Sequence, residues 1–249
     1  MPRLIPIGSA WCNLIDKVFC AFPSSALSRF TDFWHHIRNV RLPRGSVNAN
    51  AQGIYIADLQ NTLAREFLET DCTHFWLVND DQIYPVETVL QLLDHKKDII
   101  GPLALRKTPP YAPLVYEKTD TDIYPDHLLK TGVSGLIGNL GALGGGGMLV
   151  TRRVFERLTD PWWDTRMIMY EGISVQQSED MVFCRKAVDA GFEIWCDLDI
   201  YVRHRTMVDV MPHRDPATGE WATMIINRHA AMAVPAASKE PAVMEMLCP

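Results

Sequence analysis

The stretch FWLVNDDQIYP, residues 75–85, runs from four apolar residues into an amide, two adjacent carboxylates and then a proline. A short apolar run bounded by turn-forming residues reads as a buried strand. Open α/β sheets bind their ligands just beyond the carboxyl ends of such strands, so charge at this point has a place to act. In an extended chain successive side chains alternate faces, which sends Asn79 and Asp81 one way and Asp80 the other. A hard divalent cation takes oxygen ligands of this kind and completes its shell with waters and substrate phosphates. The same three residues also suit a plain turn and cap ahead of the helix that begins near Pro85.

Working outward, short apolar runs alternate with amphipathic stretches. IYIADLQNTLAREFL (54–68) spaces Ile56, Leu59, Leu63 and Phe67 by three and four, which predicts a helix with one buried face. PVETVLQLLDHKK (85–97) predicts another, with Pro85 near its first turn and Val86, Val89, Leu90 and Leu93 facing inward. DIIGPLAL (98–105) and PLVYE (113–117) read as strands, residues 4–7 as a first strand and residues 14–22 as a helical region. Residues 117–132 are polar and turn-rich, a surface excursion or mobile loop. GGGGMLV (144–150) reads as a flexible approach into a buried strand, with Thr151 capping a helix through Leu158. SEDMVFCRKAVDAG (178–191) is a helix between Ser178 as N-cap and Gly191 as stop, and FEIWCD (192–197) is the next strand. Beyond Met211 the pattern weakens, and AVPAASKEPAV (233–243) reads as a loose tail. The alternation predicts a layered α/β fold. Its main domain is expected over residues 1–210, with a C-terminal extension over 211–249.

A chain of 249 residues with 47% hydrophobic content can bury a substantial core. The net charge of −6 argues against a broad basic surface for nucleic acid, so no nucleic-acid partner is expected and the ligand should be small. Six scattered cysteines with no C-x-x-C pair suggest neither a zinc ribbon nor a disulfide framework, but free thiols in a reducing cytoplasm. The apolar N-terminus is broken by Asp16 and Lys17, so no transmembrane segment is expected. The glycines carry no P-loop, no G-x-G-x-x-G from Gly135 onward and no G-x-S-x-G elbow. Four consecutive glycines do let the backbone approach a bulky ligand closely. Trp162 and Trp163, in the loop PWWDTRMIMYEGISVQQ ahead of an acidic pair, suit either an apolar platform for a ligand ring or packing.

Three ordered elements resemble the GT-A glycosyltransferases, particularly the family 2-like enzymes of bacteria and their viruses. THFWLVNDDQIYP (73–85) is similar to the strand that carries the family's D-x-D motif. GALGGGGMLVTRRVFERL (141–158) is similar to its glycine-rich acceptor-side segment. SEDMVFCRKAVDAGFEIWCDLDIYVRH (178–204) looks like the helix with the E-D pair, the next strand and a metal-binding histidine. The resemblance implies a GT-A-like, Rossmann-type sandwich with a mostly parallel central sheet. It implies Asn79, Asp80 and Asp81 at the D-x-D positions, with Asn79 standing where the family carries an aspartate. Asp81 and His204 are the implied ligands for Mn2+ or Mg2+, and Gly146 and Gly147 join Asn79, Asp80 and Asp81 as the implied cofactor-binding residues. Asp180 is the implied general base of an inverting enzyme, supported by Glu179. The substrate is then a UDP- or GDP-sugar, and the acceptor a hydroxyl of a glycan, a lipid-linked molecule or a protein. Two other readings stand beside it. One is a catalytically silent nucleotide-sugar or glycan-binding module, for which Asn79 speaks. The other is a sugar-phosphate nucleotidyltransferase, which lacks the expected glycine-rich, Arg-Lys-containing N-terminal loop.

Overall fold

The computed structural model describes residues 5–7, 10–12, 16–25, 31–107, 111–121, 123–127, 129, 133–170, 172–205, 209–226, 231–235 and 244–246. A short hairpin of β1 (Ile5–Ile7) and β2 (Ala10–Cys12) comes first. The chain continues through β3 (Val18–Ser25), α1 (Thr31–Ile37), β4 (Val47–Gly53), α2 (Ile56–Glu69), β5 (His74–Leu77), β6 (Gln82–Ile83), α3 (Thr88–Asp94) and β7 (Ile99–Leu103). Next come β8 (Val115–Glu117), β9 (Leu136–Leu143), β10 (Leu149–Thr151), α4 (Arg152–Arg157), β11 (Arg166–Tyr170), β12 (Ile173–Gln177), α5 (Glu179–Asp189) and β13 (Ile194–Tyr201). The last elements are β14 (Arg203–Arg205), β15 (Asp209–Arg214), β16 (Trp221–Ile226), β17 (Ala231–Pro235) and β18 (Met244–Met246).

The central sheet has eight strands in the order β4-β3-β5-β10-β7-β13-β9-β8. Six of them point the same way, while β9 and β10 run against their neighbours. Alternation along the strands divides the core in two. Phe19, Phe75, Leu77 and Ile99 face a cluster that Leu63 and Phe67 of α2, Val154 and Phe155 of α4 and Phe183 of α5 complete. Their sequence neighbours Val18, Cys20, Trp76 and Ile100 face the other side, against Phe33 of α1 and Val89, Leu90 and Leu92 of α3. Both faces are therefore covered by helices, the α/β sandwich that the pattern predicts. A second sheet, in the order β18-β17-β16-β15-β14-β6, joins the first through β6 and β14, which follow directly on β5 and β13.

Several expectations are corrected. Of the expected helix over residues 14–22, residues 14 and 15 lie outside the described residues, Asp16 and Lys17 are in no regular element, and residues 18–22 belong to β3. Residues 18–22 are all buried, so the run has no solvent face for a helical period to show. The loop read over residues 161–177 contains the antiparallel hairpin β11–β12. Val86 and Ile56, expected to point inward, are exposed, because α3 starts only at Thr88 and Ile56 opens α2. The weak pattern beyond Met211 conceals antiparallel strands, while residues 236–243 of the expected tail lie outside the described residues. Residues 117–132 begin by folding back on β8, with the Glu117 N–H bonded to the Pro125 carbonyl and that of His127 to Val115.

Candidate functional site

The candidate site gathers around the end of β5. β5 stops at Leu77, and the chain turns through residues 79–82, the Gln82 N–H reaching the Asn79 carbonyl at 3.3 Å. Strand alternation therefore does not govern residues 79–81, yet the two carboxylates still part company. Asp80 Oδ2 accepts the Ser24 hydroxyl at the end of β3, at 3.2 Å. Asp81 turns the other way, toward β7 and β14, and its backbone carbonyl accepts the Arg205 N–H at 2.7 Å. Below the turn, the Asn79 N–H donates to the Tyr84 hydroxyl at 3.0 Å, which donates to Gln82 Oε1 at 2.7 Å. Burial raises the Tyr84 phenol well above its ordinary value, so it stays a neutral relay in this support.

His204 is buried in β14, and its Nδ1 lies 2.7 Å from the Leu105 carbonyl. A carbonyl only accepts, so Nδ1 carries the proton, and Nε2 is aimed at Asp81 Oδ1, 3.6 Å away. That separation is too long for a hydrogen bond. Asp81 Oδ1 is sealed from solvent and has no hydrogen-bond partner, while Oδ2 is ion-paired with Lys107. Burial alone would raise the Asp81 carboxyl, but His204 and Lys107 outweigh it and hold the group below the usual carboxylate value. Two sequence-predicted ligands from distant segments thus converge, and the carboxylate oxygen between them lacks a hydrogen bond. The Asn79 side-chain amide is half-buried and has no partner among the described residues. Among those residues, no group of three or more His, Cys, Asp or Glu side chains could hold a metal ion.

A second cluster forms where the glycine run meets α5. The Gly145 N–H donates to Asp180 Oδ2 at 2.8 Å, and a Cβ on Gly145 would stand 2.2 Å from Asp180 Oδ1. A Cβ on Gly146 would stand 2.1 Å from Gln82 Oε1, and Gly147, at φ +85°, lies against Pro102 and Tyr84. The close approach that these glycines permit is made to the protein's own side chains, and it links Asp180 to the Gln82 turn. Gly145 to Gly147 are buried, and Gly145 and Gly147 are hydrogen-bonded in place, so the expected flexible approach is a packed one. Asp180 Oδ1 is shielded and has no partner. Burial, reinforced by neighbouring Glu179 and only partly offset by the Gly145 N–H, pushes the Asp180 carboxyl up to about 7. Burial also raises Glu179, against the opposing pull of its own backbone N–H and the Gln60 amide.

The tryptophans belong to the core. Trp163 is 1% exposed and stacks on Phe183 at 4.7 Å, with its backbone N–H and carbonyl both bonded to the Asn61 amide. Trp162 is also buried, its indole N–H donating to the Phe155 carbonyl at 3.0 Å. Sequence reading did not find Lys107, Gln82, Tyr84 or the Leu105 carbonyl. Gln82 and Tyr84 flank the D-x-D positions without belonging to them, and Lys107 is 26 residues from the aspartate it pairs with.

No family model matches the chain, and no curated protein matches it. Among solved structures it resembles the crystal structure of A197 from STIV, with a TM-score of 0.55 and 16% identity, covering 86% of this chain and 95% of that one. It is also aligned with the inositol-1-phosphate CTP transferase from T. maritima, at a TM-score of 0.34 and 14% identity, over 73% of this chain and 70% of that one. At these identities the likeness is one of fold, and it is the likeness to A197 that spans nearly the whole of both chains.

Proposed function

We propose that this chain is a metal-dependent glycosyltransferase. It moves a sugar from a UDP- or GDP-sugar to an acceptor hydroxyl with inversion, and Asp180 is its general base. The observation that carries the reading is the unmatched, solvent-sealed Oδ1 of Asp81 facing Nε2 of His204, whose other nitrogen is fixed by a carbonyl. Metal-ligating histidines are held by their second nitrogen in this way. An oxygen and a nitrogen ligand suit Mn2+ or Mg2+, with waters and the donor diphosphate supplying the rest. A bound cation would stabilise the charge that grows on the diphosphate leaving group.

The chain's own residues supply the other half. Asp180 Oδ1 accepts the proton of the acceptor hydroxyl as that oxygen bonds to the anomeric carbon. The bond from that carbon to the phosphate oxygen breaks, and its electron pair leaves with the nucleoside diphosphate. A carboxylate raised toward neutrality is a better match for this proton than an ordinary one. The Gly145 N–H fixes the other oxygen and so the direction of Oδ1. Glu179 supports the acceptor side, and Asn79 is suited to accept a hydrogen bond from a ribose hydroxyl.

Calorimetry with UDP and GDP, with Mn2+ and then with chelator, tests the donor site. Binding that requires the cation is expected, and equal affinity in chelator removes the metal from this reading. Asn79, which lacks a metal-binding charge, favours the alternative of a silent binding module. Release of nucleoside diphosphate from a panel of nucleotide sugars, with a pool of hydroxyl acceptors, separates the two.

A further inference from the structure

Lys107 is the one component of the Asp81 cluster without a task in the reading above. Its ammonium is ion-paired with Asp81 Oδ2, the oxygen beside the unmatched Oδ1. It also belongs to the same backbone segment as the Leu105 carbonyl that orients His204, just beyond the C-terminal end of β7. The neighbouring cations are otherwise engaged. Arg106 is ion-paired with Asp126 and lies over the Tyr116 ring, and Arg205 binds Asp32. Lys107, by contrast, keeps 42% of its side chain exposed while its partner keeps 20%. A flexible four-carbon stem at that exposure can carry the ammonium off the carboxylate without unpacking anything.

We propose that Lys107 is a switching cation of the donor site. It neutralises Asp81 while the site is empty, and it moves to the diphosphate of the nucleotide once a divalent cation takes Asp81. With Asn79 uncharged, Asp81 is the only carboxylate assigned to the cation, and an ammonium left on it would compete for the same oxygens. Released, the ammonium adds its charge to the cation's against the diphosphate, where Lys acts as a compact, mobile point charge. The inference rests on the donor-site reading and gives it a residue that the D-x-D resemblance does not include.

The test separates two affinities on the full chain, for the wild type, Lys107→Gln and Lys107→Arg. Mn2+ is first titrated without nucleotide and followed by the paramagnetic resonance of free Mn2+. UDP and GDP are then titrated by calorimetry at saturating Mn2+. Lys107→Gln should bind Mn2+ about two- to fivefold more tightly, because a partly exposed ion pair no longer competes. It should bind the nucleotide about tenfold more weakly, the worth of one charge-assisted hydrogen bond. Lys107→Arg should stay within about threefold of wild type for the nucleotide. Opposite shifts are the signature, since a merely structural lysine would move both affinities down or neither. Unchanged or weaker Mn2+ binding in Lys107→Gln, or unchanged nucleotide affinity, overturns the switch while leaving the donor site intact. A wild type that binds no nucleotide in the presence of Mn2+ overturns both.

Discussion

At the scale of the residue, the buried carboxyl of Asp180 ties the proposed chemistry to stability. Asp180→Asn keeps the size of the side chain and its acceptor for the Gly145 N–H but removes the proposed base. Turnover should fall by about 10² to 10⁴, with metal-dependent nucleotide affinity little changed. Nucleoside diphosphate release and calorimetry on both proteins check this, and equal turnover dismisses Asp180 as the base. The same variant has a signature in stability. The folded-state carboxyl is raised, so the folded protein holds that proton more tightly than the unfolded chain. The stabilisation is complete below the ordinary carboxylate value and is lost as pH rises through about 7. Wild type should therefore lose more thermal stability than Asp180→Asn between about pH 5 and pH 8, and parallel melting profiles refute the raised carboxyl. Asn79→Asp adds a charge beside the proposed metal ligands and should lower the Mn2+ concentration needed for half-maximal UDP or GDP binding. An unchanged requirement with the fold intact places Asn79 away from the cation.

At the scale of the element, two segments of one loop behave oppositely. Trp163 is enclosed by Phe75, Phe155 and Phe183, so Trp163→Ala should cost about 3–5 kcal/mol in denaturant unfolding. The hairpin that follows leaves Met167, Met169, Ile173 and Val175 exposed. Ile173→Ser should change stability by no more than about 0.5 kcal/mol. A comparable loss in both variants means the hairpin is packed against the body. Adjacent tryptophans in a polar loop resemble a ligand platform in sequence, because nothing local records that Asn61, 102 residues away, ties the Trp163 backbone to α2. The helices were easier to read. α2 and α5 each present one buried face to the same core cluster, so their periods survive in the sequence.

At the scale of the whole molecule, the cluster draws on β3, the turn after β5, the segment after β7, the glycine run before β10, the first turn of α5, and β14. No part of it persists in the unfolded chain, so ligand binding should be linked to global unfolding. UDP or GDP at about one hundred times its Kd with Mn2+ should stabilise the fold by about 2.7 kcal/mol, and without the cation by nothing measurable. Scanning calorimetry with and without chelator reads the difference, and equal stabilisation in both rules out the metal bridge. The sequence by itself determined the α/β class, most strands of the central sheet, the helices α2 and α5, and the position of both acidic clusters. Periodicity is a local record of burial, and turn and cap residues mark where elements stop. It did not determine which strands are neighbours, and a uniformly buried strand such as β3 carries no period to read. Only the tertiary structure inserted β10 between β5 and β7, set Gly145 on an aspartate 35 residues away, and locked His204 with a carbonyl 99 residues away. Such pairings are chosen by packing the whole core at once, and a residue's local pattern reports that it is buried without naming its partner.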